Sequence, residues 1–159
     1  MKCDYCFQHD YLEPIMSYDT ADKILASLMP IILKYTCLHV TWFGGEPMLA
    51  LEVMEYLSQN LIEFCTANSI KYTADLITNG TLLNNTNVDI LKQCCVMSVQ
   101  ITLDGTNHDE VRKMKDGSSS YQIIINNIAE NVKNFNIVVR SNVTESNTIN
   151  IKNMIDELM

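Results

Sequence analysis

The chain is 159 residues long, 47% hydrophobic and 19% charged, which suits a folded domain with a sizeable core and excludes a fibre or a disordered tail. Lys and Arg number 11 against 19 Asp and Glu, a formal net charge of -8, which excludes nucleic-acid recognition through a broad basic face. No apolar run approaches the roughly 18 residues of a membrane span and the N-terminus lacks the apolar core of a secretory signal, so the expected setting is the cytoplasm, with no membrane and no nucleic acid as partner.

Cys3 and Cys6 open the chain, two residues apart. Residues 19–35 read as a helix with Asp19 as N-cap; Ile24, Leu25, Leu28, Ile31, Ile32 and Tyr35 recur at helical spacing, and Pro30 is expected to kink it or end its regular part. Residues 38–43 read as a buried strand closed by Gly44-Gly45. Pro47 suits the first turn of the next helix, which shows Leu51, Met54, Leu57, Leu61, Phe64 and Cys65 on one face. Residues 70–78 form the next strand, ended by Asn79-Gly80, and Val88, Leu91 and Cys94 or Cys95 mark a short helix. Residues 96–103 are a strand and 104–120 a polar loop. Tyr121, Ile124, Ile125, Ile128, Val132 and Phe135 mark a helix, 137–143 a strand, and Ile151, Met154, Ile155 and Leu158 a last amphipathic helix.

Strands alternating with helices imply right-handed crossovers and a parallel sheet. In residues 96–104, Met97, Val99, Ile101 and Leu103 alternate with Ser98, Gln100, Thr102 and Asp104; in the next strand Ile137 and Val139 alternate with Val138, Arg140 and Asn142. A parallel strand covered by helices on both faces is apolar throughout. A polar row therefore suggests a ligand-filled barrel interior, the alternative being an exposed edge face. A complete eight-fold barrel takes about 250 residues, so the expected fold is α/β, a partial (β/α) TIM-like barrel of about four β/α units.

Of the six cysteines, Cys37, Cys65, Cys94 and Cys95 read as core or partly exposed thiols, and only Cys3-x-x-Cys6 asks for chemistry. That spacing serves a zinc site, an iron–sulfur cluster or a redox disulfide. A zinc site wants a second pair, whereas His9, His39 and His108 are scattered; a thioredoxin-like site wants a strand before the pair. Trp42-Phe43-Gly44-Gly45-Glu46-Pro47 follows a strand, where ligands of parallel α/β folds gather. An ordinary strand-to-helix turn reads the same way, with Trp42 as packing. The nine methionines are gap-filling residues.

Taken in order, Cys3-Asp4-Tyr5-Cys6-Phe7, Gly44-Gly45-Glu46-Pro47, Thr78-Asn79-Gly80, Thr102-Leu103-Asp104-Gly105, His108-Asp109 with Arg112, and Arg140-Ser141-Asn142-Val143 resemble the radical S-adenosylmethionine enzymes. The likeness is to the branch holding anaerobic sulfatase-maturating enzymes and peptide maturases with a C-terminal SPASM domain. It covers nearly the whole chain. The family motif is C-x-x-x-C-x-x-C, whose second and third cysteines match Cys3 and Cys6. The first would stand two residues before Met1. The expectation is therefore a partial core domain over 1–159, without the first strand, the first cluster cysteine and the C-terminal part, with Met1 internal to a longer protein.

The resemblance implies a [4Fe-4S] cluster on three cysteines, Cys3 and Cys6 among them, and S-adenosylmethionine on the open iron. A 5′-deoxyadenosyl radical would then abstract hydrogen from a peptide or protein substrate, with flavodoxin or ferredoxin as external electron donor. It further implies that Tyr5 packs beside the adenine and that Gly44, Gly45, Glu46 and Pro47 meet the methionine amino group. Arg140 would pair with the carboxylate, Thr102 would keep the hydroxyl that relatives often supply from Ser, and Asn79 would lie near the ribose or shape its turn. His108, Asp109, Glu110 and Arg112 are expected in a solvated, substrate-facing loop, and Asp104 caps a turn as readily as it touches ligand. No proton acceptor is named, and substrate choice and auxiliary clusters are assigned to the absent C-terminal half. The competing readings are a zinc or thiol-redox module on Cys3 and Cys6, or an inactive barrel fragment that only binds.

Overall fold

A computed structural model describes residues 1–6 and 15–159; Phe7 of the cysteine motif and His9 lie outside the described residues. Strand β1 (Lys2–Cys3) is followed by helix α1 (Tyr18–Ile32), β2 (Cys37–Trp42), a 3-10 turn (Pro47–Ala50), α2 (Leu51–Ala67), β3 (Lys71–Thr78), α3 (Asn85–Gln93) and β4 (Val96–Thr102). Then come α4 (His108–Val111), β5 (Arg112–Lys113), α5 (Tyr121–Asn131), β6 (Asn136–Arg140) and α6 (Thr148–Leu158). Among the described residues no helix is long and apolar enough to cross a membrane.

Strands β2, β3, β4 and β6 form one parallel sheet in that order. Spatial order follows chain order, so every right-handed crossover advances the same way and the helices collect on one face. A doubly wound sheet would instead reverse and cover both. The fold is therefore the α/β wall of part of a barrel. Between sheet and helices lies one core: Ala74, Leu76, Val99 and Ile101 from the strands meet Met54, Val88, Leu91, Ile124, Ile128 and Met154 from the helices. Beside it, α1 packs Ala21, Leu25 and Ile32 on Val53, Leu57, Leu61 and Cys65. Each such side chain contributes roughly 1.5–3 kcal/mol on burial.

The other face of the sheet is polar. The register pairs Thr41 with Asp75, Asp75 with Ser98, and Ser98 with Asn136; one layer nearer the strand ends it pairs Ile77 with Gln100 and Gln100 with Val138, and one layer further Thr102 with Arg140. This is the concave, interior-type surface that the alternation implied. Met97 is the exception. A β-bulge matches Ala74 to Val96 but Asp75 to Ser98, which takes Met97 out of the apolar row and leaves it exposed.

Three local expectations are corrected. Ser17, not Asp19, caps α1: its backbone is extended (φ -79, ψ 156) and its Oγ accepts the Thr20 N–H at 3.2 Å. Asp19 sits in the first turn and pairs with Lys23 at 2.6 Å. The helix ends at Ile32, two residues past Pro30 and short of residue 35; so close to the C-terminus the missing N–H costs a single ladder bond. Finally, residues 104–120 are not one solvated loop. They contain α4 and β5, with Asp104, His108 and Arg112 buried.

Candidate functional site

The C-terminal ends of the four parallel strands lie side by side, and the motifs met in sequence order become neighbours there. Glu46 joins the first two. Its Oε1 accepts the Thr78 hydroxyl at 2.8 Å and the Met48 N–H at 3.2 Å, while Oε2 accepts the Asn79 N–H at 2.8 Å. One carboxylate thus caps the 3-10 turn begun by Pro47 and stitches the end of β2 to the end of β3. The Asn79 side chain serves its own turn, its Oδ1 accepting the Thr81 N–H and hydroxyl at 2.9 and 2.6 Å.

Gly44 differs from the other turn glycines. Gly80 and Gly105 hold φ of +84 and +98, and a Cβ on either would meet a neighbour at 2.8 Å, so each is required by the fold itself. Gly44 has no left-handed backbone and, among the described residues, no atom within 4 Å of a would-be Cβ. Among the described residues nothing requires glycine there, and the space it leaves lies just past the end of β2.

Thr102 and Arg140 are register partners on the polar face. Arg140 is exposed and, among the described residues, has no ion pair. A guanidinium with no ion-pair partner among the described residues, in register with a hydroxyl, is suited to a carboxylate.

The cysteine turn is fastened over the ends of β4 and β6. β1 pairs antiparallel with β5, setting Cys3 opposite Arg112. Asp4 N–H donates to Val111 O at 2.9 Å, and Cys6 N–H donates to Cys3 O at 3.1 Å, closing the turn. From that turn the Tyr5 hydroxyl donates to Asp104 Oδ2 and accepts from Arg112 Nη1 at 2.8 Å and Asn142 Nδ2 at 3.0 Å. Asp104 Oδ1 accepts the Asn142 N–H at 2.7 Å. The guanidinium also stands 5.8 Å from the Tyr5 ring centre, within cation–π range. Burial and donation to Asp104 push the Tyr5 phenol up to about 12, so it remains a donor at neutral pH. Tyr5 as a residue stays 46% exposed.

Behind Asp104 stands His108, whose Nδ1 accepts the Asp104 N–H at 3.2 Å, which places the ring proton on Nε2. Burial and then the nearby Arg112 charge pull this imidazole down to about 4. Asp109 turns the other way: burial raises it, but bonds from Ser119, Ser120 and Tyr121 outweigh that and hold it below the usual range. It anchors the start of α5 and faces no site.

Cys3 and Cys6 are half-buried thiols on one turn. Burial raises the Cys3 thiol, and the Arg112 cation partly counters this. Two thiols on one tight turn beside a cation fit two corners of an iron–sulfur cube. Among the described residues no group of three metal-ligating side chains gathers. Cys65 and Cys94 are buried, Cys37 and Cys95 exposed.

Gly44, Glu46, Asn79, Thr102 and Arg140 stand at or just past the ends of the parallel strands, as their motifs imply, while Cys3 and Cys6 lie on β1 and the turn that follows it. Sequence reasoning missed that Asp104, Arg112 and Asn142 hold the cysteine turn through Tyr5. The available signal was the recurrence of Asp104, Arg112 and Asn142 within the ordered motifs.

A family model of the Radical SAM superfamily matches residues 1–157. Native anSMEcpe with bound AdoMet and Kp18Cys peptide superposes with a TM-score of 0.81 at 25% identity, covering 99% of this chain and 44% of that one. Histidine-tagged anSMEcpe with bound AdoMet gives 0.77 at 24% identity, covering 99% and 43%. An uncharacterized protein of Methanocaldococcus jannaschii is 33% identical over 97 residues, 61% of this chain and 32% of its own length. The chain thus spans less than half the length of these relatives.

Proposed function

The chain belongs to the radical SAM superfamily, whose cofactors are a [4Fe-4S] cluster and S-adenosylmethionine, and from that premise we propose that it is the cofactor-binding portion of an enzyme that modifies a peptide or protein. Cys3 and Cys6 hold two corners of the cluster. The open space at Gly44, with Gly45 and the backbone of Glu46 and Pro47, receives the amino group of S-adenosylmethionine. Arg140 pairs with its carboxylate, Thr102 donates beside it, and Asn79 bounds the ribose side. The exposed Tyr5 offers an apolar ring face to the adenine. When bound, the two cofactors supply one-electron cleavage of the sulfonium and hydrogen abstraction from substrate.

The observation that carries this reading is Arg140: an exposed cation with no ion-pair partner among the described residues, in register with Thr102 at the strand ends. The likeness to peptide-bound anSMEcpe supports a peptide or protein substrate, a sulfatase-maturase-like oxidation or a thioether-forming maturation. Electrons would come from a flavodoxin or ferredoxin. The test is equilibrium binding of S-adenosylmethionine to the cluster-loaded full-length protein. Arg140→Ala should weaken it by about tenfold or more through loss of a charge-assisted pair, with thermal stability unchanged. Equal affinities would overturn the assignment.

A further inference from the structure

Arg112 is 9% exposed, and a buried guanidinium is costly unless paired. It has no carboxylate partner within ion-pair distance among the described residues. Its Nη1 is spent on the Tyr5 hydroxyl at 2.8 Å, and its Nε finds no partner among the described residues. The Asp104 carboxylate, also buried, meets the same hydroxyl from the other side. A cation and an anion therefore share one neutral phenol, and that phenol belongs to the cysteine turn. Asp104 lies two residues beyond Thr102, and Asn142 two beyond Arg140.

We propose that Arg112 is a positioning residue: paired strand to strand with Cys3 and bonded to Tyr5, it holds the cysteine turn at a fixed height over the strand ends that carry Thr102 and Arg140. The inference rests on the reading of those strand ends as the S-adenosylmethionine site. A molecule chelated at the cluster and gripped by Arg140 at its carboxylate is held at two points, one on the turn and one on β6. Only a rigid link between them presents both at once, and preorganisation of this kind is what a floppy turn would forfeit. Apart from the two-residue pairing of β1 with β5 and the Asp4 N–H bond to Val111, the Tyr5 hub is the link the described contacts provide.

The test compares Arg112→Gln, Arg112→Lys and Tyr5→Phe with Lys113→Gln, the exposed neighbour on β5, as control. Amide hydrogen exchange of the metal-free protein reads the turn directly. Arg112→Gln and Tyr5→Phe should speed exchange at Asp4 and Cys6 by about tenfold while β3 and β4 keep their protection. In the cluster-loaded protein, both should take about tenfold more S-adenosylmethionine to produce the change that this molecule causes in the electron paramagnetic resonance spectrum of the reduced cluster. Arg112→Lys should recover part of each effect, and Lys113→Gln should show neither. Unchanged exchange at the turn, or an unchanged titration, overturns the positioning role and leaves the binding assignment standing. Loss of protection throughout β3 and β4 also overturns it, by making Arg112 a residue of the fold. A wild-type spectrum indifferent to S-adenosylmethionine overturns the binding assignment itself, and the positioning role with it.

Discussion

The Glu46 carboxylate accepts the backbone N–H of Asn79 at 2.8 Å across 33 positions of sequence. Because it also holds Thr78 and caps the turn at Met48, this side chain sets the relative position of two strand ends before any ligand arrives. Glu46→Ala should destabilise the fold by about 2–3 kcal/mol, three bonds to one charged acceptor being lost, and Glu46→Gln by about 1 kcal/mol. Chemical denaturation monitored by circular dichroism checks both values. A neutral Glu46→Ala would mean that the carboxylate serves ligand alone.

Glycines at the strand ends separate binding from folding. Gly44→Ala should leave thermal stability unchanged and weaken S-adenosylmethionine binding, since its Cβ enters space open to ligand. Gly105→Ala should behave oppositely. With φ at +98 and the Asn150 backbone 2.8 Å from the new methyl, it should cost about 2–4 kcal/mol through strain and overpacking. Melting curves and ligand titrations on the same two variants decide it.

Acid should loosen the buried end of β4. His108 is held near 4 by burial and by Arg112, well below its value in an unfolded chain. Between those two values the unfolded state binds a proton that the folded state refuses, so stability rises with pH in this window. The contribution is complete above about 6.5 and falls away as pH drops towards 4, amounting to roughly 3 kcal/mol. His108→Gln should flatten that part of the stability curve, as urea midpoints at pH 7 and pH 5 would show. A wild-type midpoint that does not move across this range would contradict the buried neutral imidazole.

Cluster loading should follow ligand count. Anaerobic reconstitution of residues 1–159 with iron and sulfide should yield little stable cluster, two thiolates being fewer than the three a site-differentiated cube requires. A chain extended by two residues with cysteine at the leading position should retain substantially more iron and the brown absorbance of a [4Fe-4S] centre. Equal iron content in the two chains would overturn the need for a third cysteine ahead of Cys3.

Much of this was legible residue by residue. The alternation of apolar rows with polar ones in 96–104 and 137–142 anticipated a sheet with one bare face, because side-chain direction in a strand depends only on parity along the chain. Met97 escaped that rule, since a bulge is settled by how β4 meets β3. Gly44-Gly45-Glu46-Pro47 announced a turn at a strand end, yet nothing in those four residues says that Glu46 reaches across to Thr78.

The run from 104 to 120 shows the boundary most plainly. Its polarity reads as solvent exposure, because composition alone is what a sequence offers for a segment with no period. In the folded chain Asp104, His108 and Arg112 are buried; Tyr5, 99 positions away from Asp104, is the shared partner of Asp104 and Arg112, while His108 accepts the Asp104 N–H. The chain by itself determined the order of the four parallel strands and the longer helices between them, the bare polar face and the set of strand-end motifs, all of which follow from local period and spacing. Which polar side chains would escape water was decided by tertiary structure alone, since a charge can be buried only where the path of the chain delivers a partner to it.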